Sequence, residues 1–334
     1  MIVTNFLSSN AYLYLPSKKN PKVILAVDDA KITQNSFQLY NPFSKKGKIL
    51  KKISRFASLY AHPFMNLFTT QAIQSNFISY LEKKLQSKLV ISVYIGTILD
   101  KVVLQLQTKE AHVIGYIKYP LNEIGYKHLQ NEKKALEVLS QLNIVEPYIF
   151  YDKYQSTSFL LLPEIKGTIG IVEKRDVLQI LSSLKCDTSY LLSEHPRVIS
   201  LQKKLKKTQM FDLYTLLNDT IKISTKRYSL VYEHGDFAPW NIIKIENSFQ
   251  AFDFEYFTED GLEYLDLCKY YYQIGKLLEN KKDEGLIDYV FENISVEEKI
   301  IVFKIFLIKE IVESLEENII RQFEIDLLQR LEER

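Results

Sequence analysis

Glu233-His234-Gly235-Asp236-Phe237-Ala238-Pro239-Trp240-Asn241, followed by Ala251-Phe252-Asp253-Phe254-Glu255, carries the most information in this 334-residue chain. It sets an Asp, an Asn five residues later and an Asp twelve residues beyond that. Moving a phosphoryl group onto a hydroxyl uses those three groups: a carboxylate that orients and deprotonates the hydroxyl, and two oxygen ligands for Mg²⁺. Segments 242–245 and 249–252 read as short strands around 246–248, a hairpin-type turn. With the hairpin symmetric about Asn247, Asn241 falls opposite Asp253, their Cβ atoms ~5 Å apart on one face. Two oxygen donors at that separation suit a partly hydrated Mg²⁺. Glu255 lies two residues beyond Asp253, on the same face of an extended chain, and is a further metal candidate. The plainer alternative is a hairpin with turn and capping residues at its open end. The joint spacing, with His-Gly-Asp upstream, favours a site.

Phosphate chemistry of this kind needs an upstream cation, and one is well placed. Segments 91–95, 102–106 and 112–118 are β-branched or aromatic and separated by short polar links, so three successive strands are expected. Lys118 ends the third. Leu129, Leu136, Leu139 and Leu142 then repeat at helical spacing, with Glu132 on their face. An inward carboxylate needs a cation, and Lys118 is the natural partner; the other reading is an edge-strand lysine and a solvated glutamate. Gly96 and Thr97 open the link between the first two strands. They are placed either to offer donors to phosphate or simply to make the turn. Segment 158–164 reads as a buried strand running into a breaker.

The Asp236–Asn241 spacing equals that of the kinase catalytic loop, Asp253-Phe254-Glu255 stands where D-F-G would, and Lys118 stands where the lysine of V-A-I-K would. The motif resembles that of the aminoglycoside phosphotransferase and choline kinase family, with its H-G-D-x-x-x-x-N loop and D-x-[DE] metal segment. The resemblance covers residues 89–334, specifically at the motif and diffusely elsewhere. It implies an α+β, bilobal protein kinase-like fold: a small antiparallel-sheet N-lobe, a mainly helical C-lobe, and here an N-terminal extension. It implies Asp236 as catalytic base, Asn241 and Asp253 as metal ligands, His234 and Asp266 as structural, and ATP between the lobes with Lys118 on its phosphates and Glu132 fixing the lysine. Leu162 to Glu164 would be the hinge facing adenine. The implied reaction is ATP- and Mg²⁺-dependent phosphorylation of a hydroxyl on a small molecule or saccharide, with cell-surface glycan metabolism as a setting by analogy. A nucleotide-binding pseudokinase scaffold and a nucleotidyl transferase are the rival readings.

The chain departs from protein kinases. Gly235 replaces their loop arginine, and a helix start is expected at 261–267, which leaves little room for a peptide-docking segment. It also shows no dense acidic patch of the kind that marks a polycationic acceptor; Glu310, Glu313, Glu316 and Glu317 read as helix-surface charges.

Composition agrees with an enzyme. Hydrophobic residues make up 46% and charged residues 25%, and the net charge of +2 implies no nucleic-acid partner. Cys186 and Cys268 offer neither a disulfide framework nor zinc spacing, and no signal-peptide pattern opens the chain, so a cytoplasmic location is expected. The apolar run 300–308 is too short to span a bilayer.

Three segments are expected: an extension over 1–88, a small lobe over 89–165 and a helical lobe over 166–334. The extension should hold strands at 11–16 and 23–27 and a helix at 71–86. Between them, Ile49, Leu50, Ile53, Phe56, Ala57 and Tyr60 form one helical stripe, and Lys45, Lys46, Lys48, Lys51, Lys52 and Arg55 the rest. Two readings stand for residues 45–60. In one, the helix packs its stripe on the protein with lysines in water; in the other, it makes peripheral contact with an anionic membrane surface.

Overall fold

The computed structural model describes residues 5–8, 11–40, 42, 45–60, 75–96, 99–246, 248–317 and 319–334. They divide into two compact units, 1–133 with 146–164, and 134–145 with 165–334. An antiparallel-sheet unit followed by a mainly helical unit is the α+β order expected for a kinase-like fold.

The first unit is built on one seven-stranded antiparallel sheet. Its strands are β1 (Tyr12–Leu15), β2 (Val23–Ala26), β3 (Leu89–Tyr94), β4 (Lys101–Thr108), β5 (Val113–Pro120), β6 (Phe150–Tyr154) and β7 (Thr157–Pro163), in the order β1-β2-β3-β4-β5-β7-β6. Two strands of the segment expected as an extension therefore continue the sheet: Val23 and Ile24 of β2 pair with Tyr94 and Val93 of β3. The helices of this unit are α1 (Ala30–Ser36), α2 (Lys45–Tyr60), α3 (Asn76–Leu85) and the first part of α4 (Glu123–Gln141). Ser75 caps α3 by accepting from the Ile78 N–H, and the helix buries Phe77, Ile78 and Leu81. The expected 71–86 helix is therefore shorter, and 71–74 lie outside the described residues. At Gly115, a Cβ would stand 2.0 Å from the Leu162 carbonyl oxygen, so only glycine lets β5 and β7 close there.

In α2, Lys46, Lys48 and Lys52 are in water as in the first reading, but its apolar stripe is not packed on the protein. The helix buries Ser54 and Ser58, while Ile49, Ile53, Phe56 and Tyr60 are 58%, 62%, 66% and 74% exposed. Small residues allow close approach on one side, and the large apolar stripe faces outward.

The second unit holds two three-stranded sheets. One runs β13-β10-β9 (Thr258–Leu262, Arg227–Glu233, Lys185–Leu191), the other β12-β11-β8 (Ser248–Ala251, Ile242–Ile245, Thr168–Ile169). Its helices are the end of α4, then α5 (Lys174–Ser183), α6 (Pro196–Lys207), α7 (Phe211–Lys222), α8 (Leu265–Gln273), α9 (Asp283–Asn293), α10 (Lys299–Leu315) and α11 (Gln322–Glu332). The expected helix start at 261–267 is late by four residues, because Gly261 and Leu262 still pair with β10. Helix α10 absorbs the apolar run, burying Val302, Phe303, Ile305, Phe306, Leu307 and Ile308. None of the described helices is long and apolar enough to cross a membrane.

Candidate active site

Strand β10 ends at Glu233 and delivers His234-Gly235-Asp236. Gly235 has φ +82°, and a Cβ there would sit 2.5 Å from the Tyr256 carbonyl oxygen, which accounts for glycine at this position. Asp266, at the start of α8, accepts from the His234 N–H at 2.7 Å and the Gly235 N–H at 2.9 Å. Burial, then Glu233, pushes its carboxyl up, against the pull of His234, Lys309 and the amides. Fully buried His234 pairs Nε2 with the Phe252 carbonyl at 2.9 Å, and its Nδ1 accepts from the Asp236 N–H at 3.3 Å. Both residues therefore brace the loop.

Asp236 and Asn241 are coupled directly. The Asn241 side-chain amide donates to the Asp236 carbonyl at 2.9 Å and to Asp236 Oδ2 at 3.2 Å. These bonds fix the rotation of a buried side chain, and so fix the side on which its oxygen is presented.

The hairpin after Asn241 differs from its expected register by one residue. Ile242 opposes Ala251 and Ile245 opposes Ser248, so the loop has two residues and Asn241 faces Phe252, not Asp253. The Phe252 N–H donates to the Asn241 carbonyl at 3.0 Å. A two-residue loop matches strand twist when its residues have positive φ, as Glu246 does at +50°; Asn247 lies outside the described residues. Asp253 itself has φ +69°, a left-handed conformation that ends the strand and turns the chain. Glu255 thus meets Asp253 through a turn rather than by strand alternation. A carboxylate oxygen of each lies within 4.8 Å of the other. Two carboxylates that close offer all-oxygen ligands of the kind a hard divalent cation takes.

In the sheet unit, Lys118 Nζ stands 2.8 Å from Glu132 Oε1 and 2.6 Å from Oε2, with the residues 8% and 2% exposed. This is the buried ion pair, not the edge-strand lysine. Gly96 follows β3 with φ +73°, and Thr97 lies outside the described residues. Leu162 pairs with Tyr116 in the β5–β7 ladder, and Glu164 is the last residue of this unit.

The largest departure concerns charge inside the helical unit. Glu310 and Glu313 were expected as helix-surface charges, yet Glu310 is buried and Glu313 is paired. Fully buried Glu233 takes Arg197 Nε and Nη2 at 3.1 and 2.9 Å, and Lys309 Nζ at 2.9 Å. Arg197 also reaches Glu313 at 2.9 Å. Lys309 donates to the Gly235 carbonyl at 3.3 Å and lies 3.5 Å from Glu310. Lys269 contacts Glu310 at 2.7 Å and Asp236 Oδ1 at 3.5 Å. Burial disfavours the Glu233 carboxylate, but Arg197 and Lys309 outweigh it and hold the group well below its ordinary range. Glu310 is likewise held low against burial, by Lys269 and then Lys309. Burial, then Glu317, pushes the Tyr256 hydroxyl up. Asp236, Tyr256, Lys269, Glu310, Glu317 and Arg321 face a cavity of about 120 Å³.

The network had a sequence signal. Lys309 and Glu310 interrupt an apolar helix, and Lys269 stands between Cys268 and Tyr270-Tyr271-Tyr272. Charges in such company are buried and must be paired.

No family model matches the chain, and no curated protein does. Among solved structures it is similar to an ethanolamine kinase from Plasmodium vivax, at 11% identity and TM-score 0.47 over 90% of this chain and 92% of that one. It is similar to a choline kinase from Cryptosporidium parvum at 12% and TM-score 0.41, over 73% and 86%. An aminoglycoside phosphotransferase from Streptomyces rimosus gives 12% and TM-score 0.41, over 69% and 97%. With TM-scores below 0.5, the functional reading rests on the residues themselves.

Proposed function

We propose that this chain is an ATP- and Mg²⁺-dependent phosphotransferase acting on a hydroxyl of a small molecule or saccharide. The observation that carries the reading is the Asp236–Asn241 pair held by two side-chain bonds, followed by the Asp253–Glu255 carboxylate pair. Asp236 accepts the proton of the acceptor hydroxyl. Asn241, Asp253 and Glu255 hold the metal. Mg²⁺ when bound supplies charge neutralisation on the phosphates. Lys118 binds the ATP phosphates and Glu132 holds the lysine in place. Gly96 and Thr97, the latter outside the described residues, are proposed as donors to the phosphates, and Leu162 to Glu164 as the hinge for the base. A place in cell-surface glycan metabolism rests on resemblance alone.

The test is an acceptor screen with radiolabelled ATP and mass spectrometry of the product. Added phosphate supports the reading. An added nucleotide makes the chain a nucleotidyl transferase, and nucleotide-induced thermal stabilisation without turnover makes it a scaffold. In the same assay Lys118→Ala is expected to raise the KM for ATP or lower kcat by roughly 10²-fold, as loss of an oriented charge contact does. An unaltered ATP dependence would remove Lys118 from the site.

We also propose that residues 45–60 rest on an anionic membrane surface. The outward stripe of Ile49, Ile53, Phe56 and Tyr60 is accompanied by exposed Lys46, Lys48, Lys52 and Arg55. Apolar side chains in the headgroup zone with basic residues beside them is the arrangement of an interfacial helix. Sedimentation with phosphatidylglycerol vesicles is expected, weakened by salt and abolished by Ile53→Ser with Phe56→Ser. Equal binding to phosphatidylcholine vesicles, or none to either, counts against it.

A further inference from the structure

Lys269 is a buried lysine placed against the general base. Its Nζ lies 3.5 Å from Asp236 Oδ1 and 2.7 Å from Glu310 Oε2. The loop itself, Asp-Phe-Ala-Pro-Trp-Asn, brings no cation of its own. Helix α8 supplies one from thirty-three residues downstream of Asp236. The two oxygens of Asp236 are thereby held from different elements, Oδ1 by Lys269 and Oδ2 by the amide of Asn241.

We propose that Lys269 is the positioning residue for Asp236, fixing the rotation of its carboxylate toward an acceptor hydroxyl entering the adjoining cavity. This rests on the phosphotransferase reading above. The Asp236 side chain is 29% exposed and so open to an acceptor, whereas Lys269 and Glu310 are 7% and 6% exposed. A side chain open to solvent on one side and free to rotate would sample several directions. Two charge-assisted contacts reduce that freedom. Orientation matters to rate, since misplacing a reacting group by about 1 Å costs on the order of 10²-fold. Glu310 holds Lys269 in turn, so the ammonium does not have to draw on Asp236 alone for its neutralisation.

The rival role is structural: Lys269 and Glu310 serve only to join α8 to α10. Four proteins separate the two roles: wild type, Lys269→Met, Glu310→Met and the double variant. Removing one partner leaves a buried charge and lowers stability, while removing both replaces an ion pair by apolar packing and restores it. The expected result is a double variant whose thermal midpoint returns to near the wild-type value. Its kcat for Mg-ATP turnover stays down by roughly 30-fold, with the KM for ATP within about twofold. A double variant that regains kcat together with its midpoint would reduce Lys269 to a structural staple and overturn the proposal. Should the double variant not fold, Lys269→Gln, one atom shorter, keeps a polar side chain with hydrogen-bond donors on the Glu310 side but removes the charge beside Asp236. A full kcat there overturns the proposal equally, and a lowered kcat at unchanged KM supports it. If wild type itself shows no Mg-ATP turnover in the acceptor screen, the phosphotransferase reading fails and the role of Lys269 falls with it. If wild type turns over and the Lys269 variants match its kcat, this inference fails alone.

Discussion

Asp236→Asn is expected to abolish nearly all turnover while leaving nucleotide binding intact. The substitution keeps the shape of the side chain and an oxygen for the Asn241 amide, which now donates at 3.2 Å. The brace behind the loop is untouched, because it acts on backbone groups: Asp266 on the His234 and Gly235 amides, and Lys309 on the Gly235 carbonyl. What disappears is the group that takes the proton. General-base contributions of this kind are worth about 10²–10⁴-fold, so kcat should fall by roughly that factor. Steady-state kinetics with the acceptor found by screening measures it, and ATP-induced thermal stabilisation should match wild type. A kcat within about twofold of wild type would leave Asp236 without its role.

The second large effect is on stability. Glu233→Gln would place a neutral amide between Arg197 and Lys309, both fully buried in the unit. Taking one partner from a buried ion-pair set costs about 3–5 kcal/mol, chiefly because Arg197 and Lys309, already out of water, then share only Glu313 and Glu310 as counter-charge. For a unit of this size that corresponds to a fall in midpoint on the order of 6–20 °C at pH 7. The pH dependence follows from the same contacts. The carboxyl of Glu233 is held below its ordinary value of 4.5 in the folded state. The unfolded chain therefore binds its proton first as pH falls. The stabilisation is complete above pH 4.5 and is lost as pH drops below it toward the folded value. Thermal unfolding between pH 7 and pH 3 should show wild type losing midpoint below pH 4.5 and the Gln variant changing less over that interval. Coincident curves would mean that Glu233 contributes little to stability.

How far the sequence could be read depended on whether the information was local. The motif residues and the Lys118–Glu132 pair were legible because each follows from spacing along one element or from an inward carboxylate needing a cation. The expected strands 91–95, 102–106, 112–118 and 158–164 lie within or overlap β3, β4, β5 and β7. The hairpin register was not legible. Whether residues 246 and 247 or 246 to 248 make the turn depends on backbone torsions, and the single-residue difference moved Asn241 from Asp253 to Phe252. The left-handed turn at Asp253, which ends the strand and is followed by the close approach of Glu255, was likewise a matter of torsion that no residue spacing encodes. Strands β9, β10 and β13 went unassigned since KCDTSYL, RYSLVYE and TEDGL mix charges with short apolar stretches and depend on one another for pairing. Which of the two readings of α2 holds was also not legible, because an apolar stripe says that a helix has two sides and not which of them meets the protein. Glu310 read as a surface charge because a charge among apolar residues looks amphipathic, whereas its helix is buried nearly all round.

The carbonyl of Gly235 hangs on an ammonium that lies seventy-four positions further along the polypeptide. A shortened gene product ending just before Lys309 would retain every letter of the His-Gly-Asp signature and of the Asp-Phe-Glu segment after it, and would still lack the peg on which the loop is fixed. Reading such a truncated product by its signature alone would credit it with a working loop; completeness of this centre is decided near the carboxyl end.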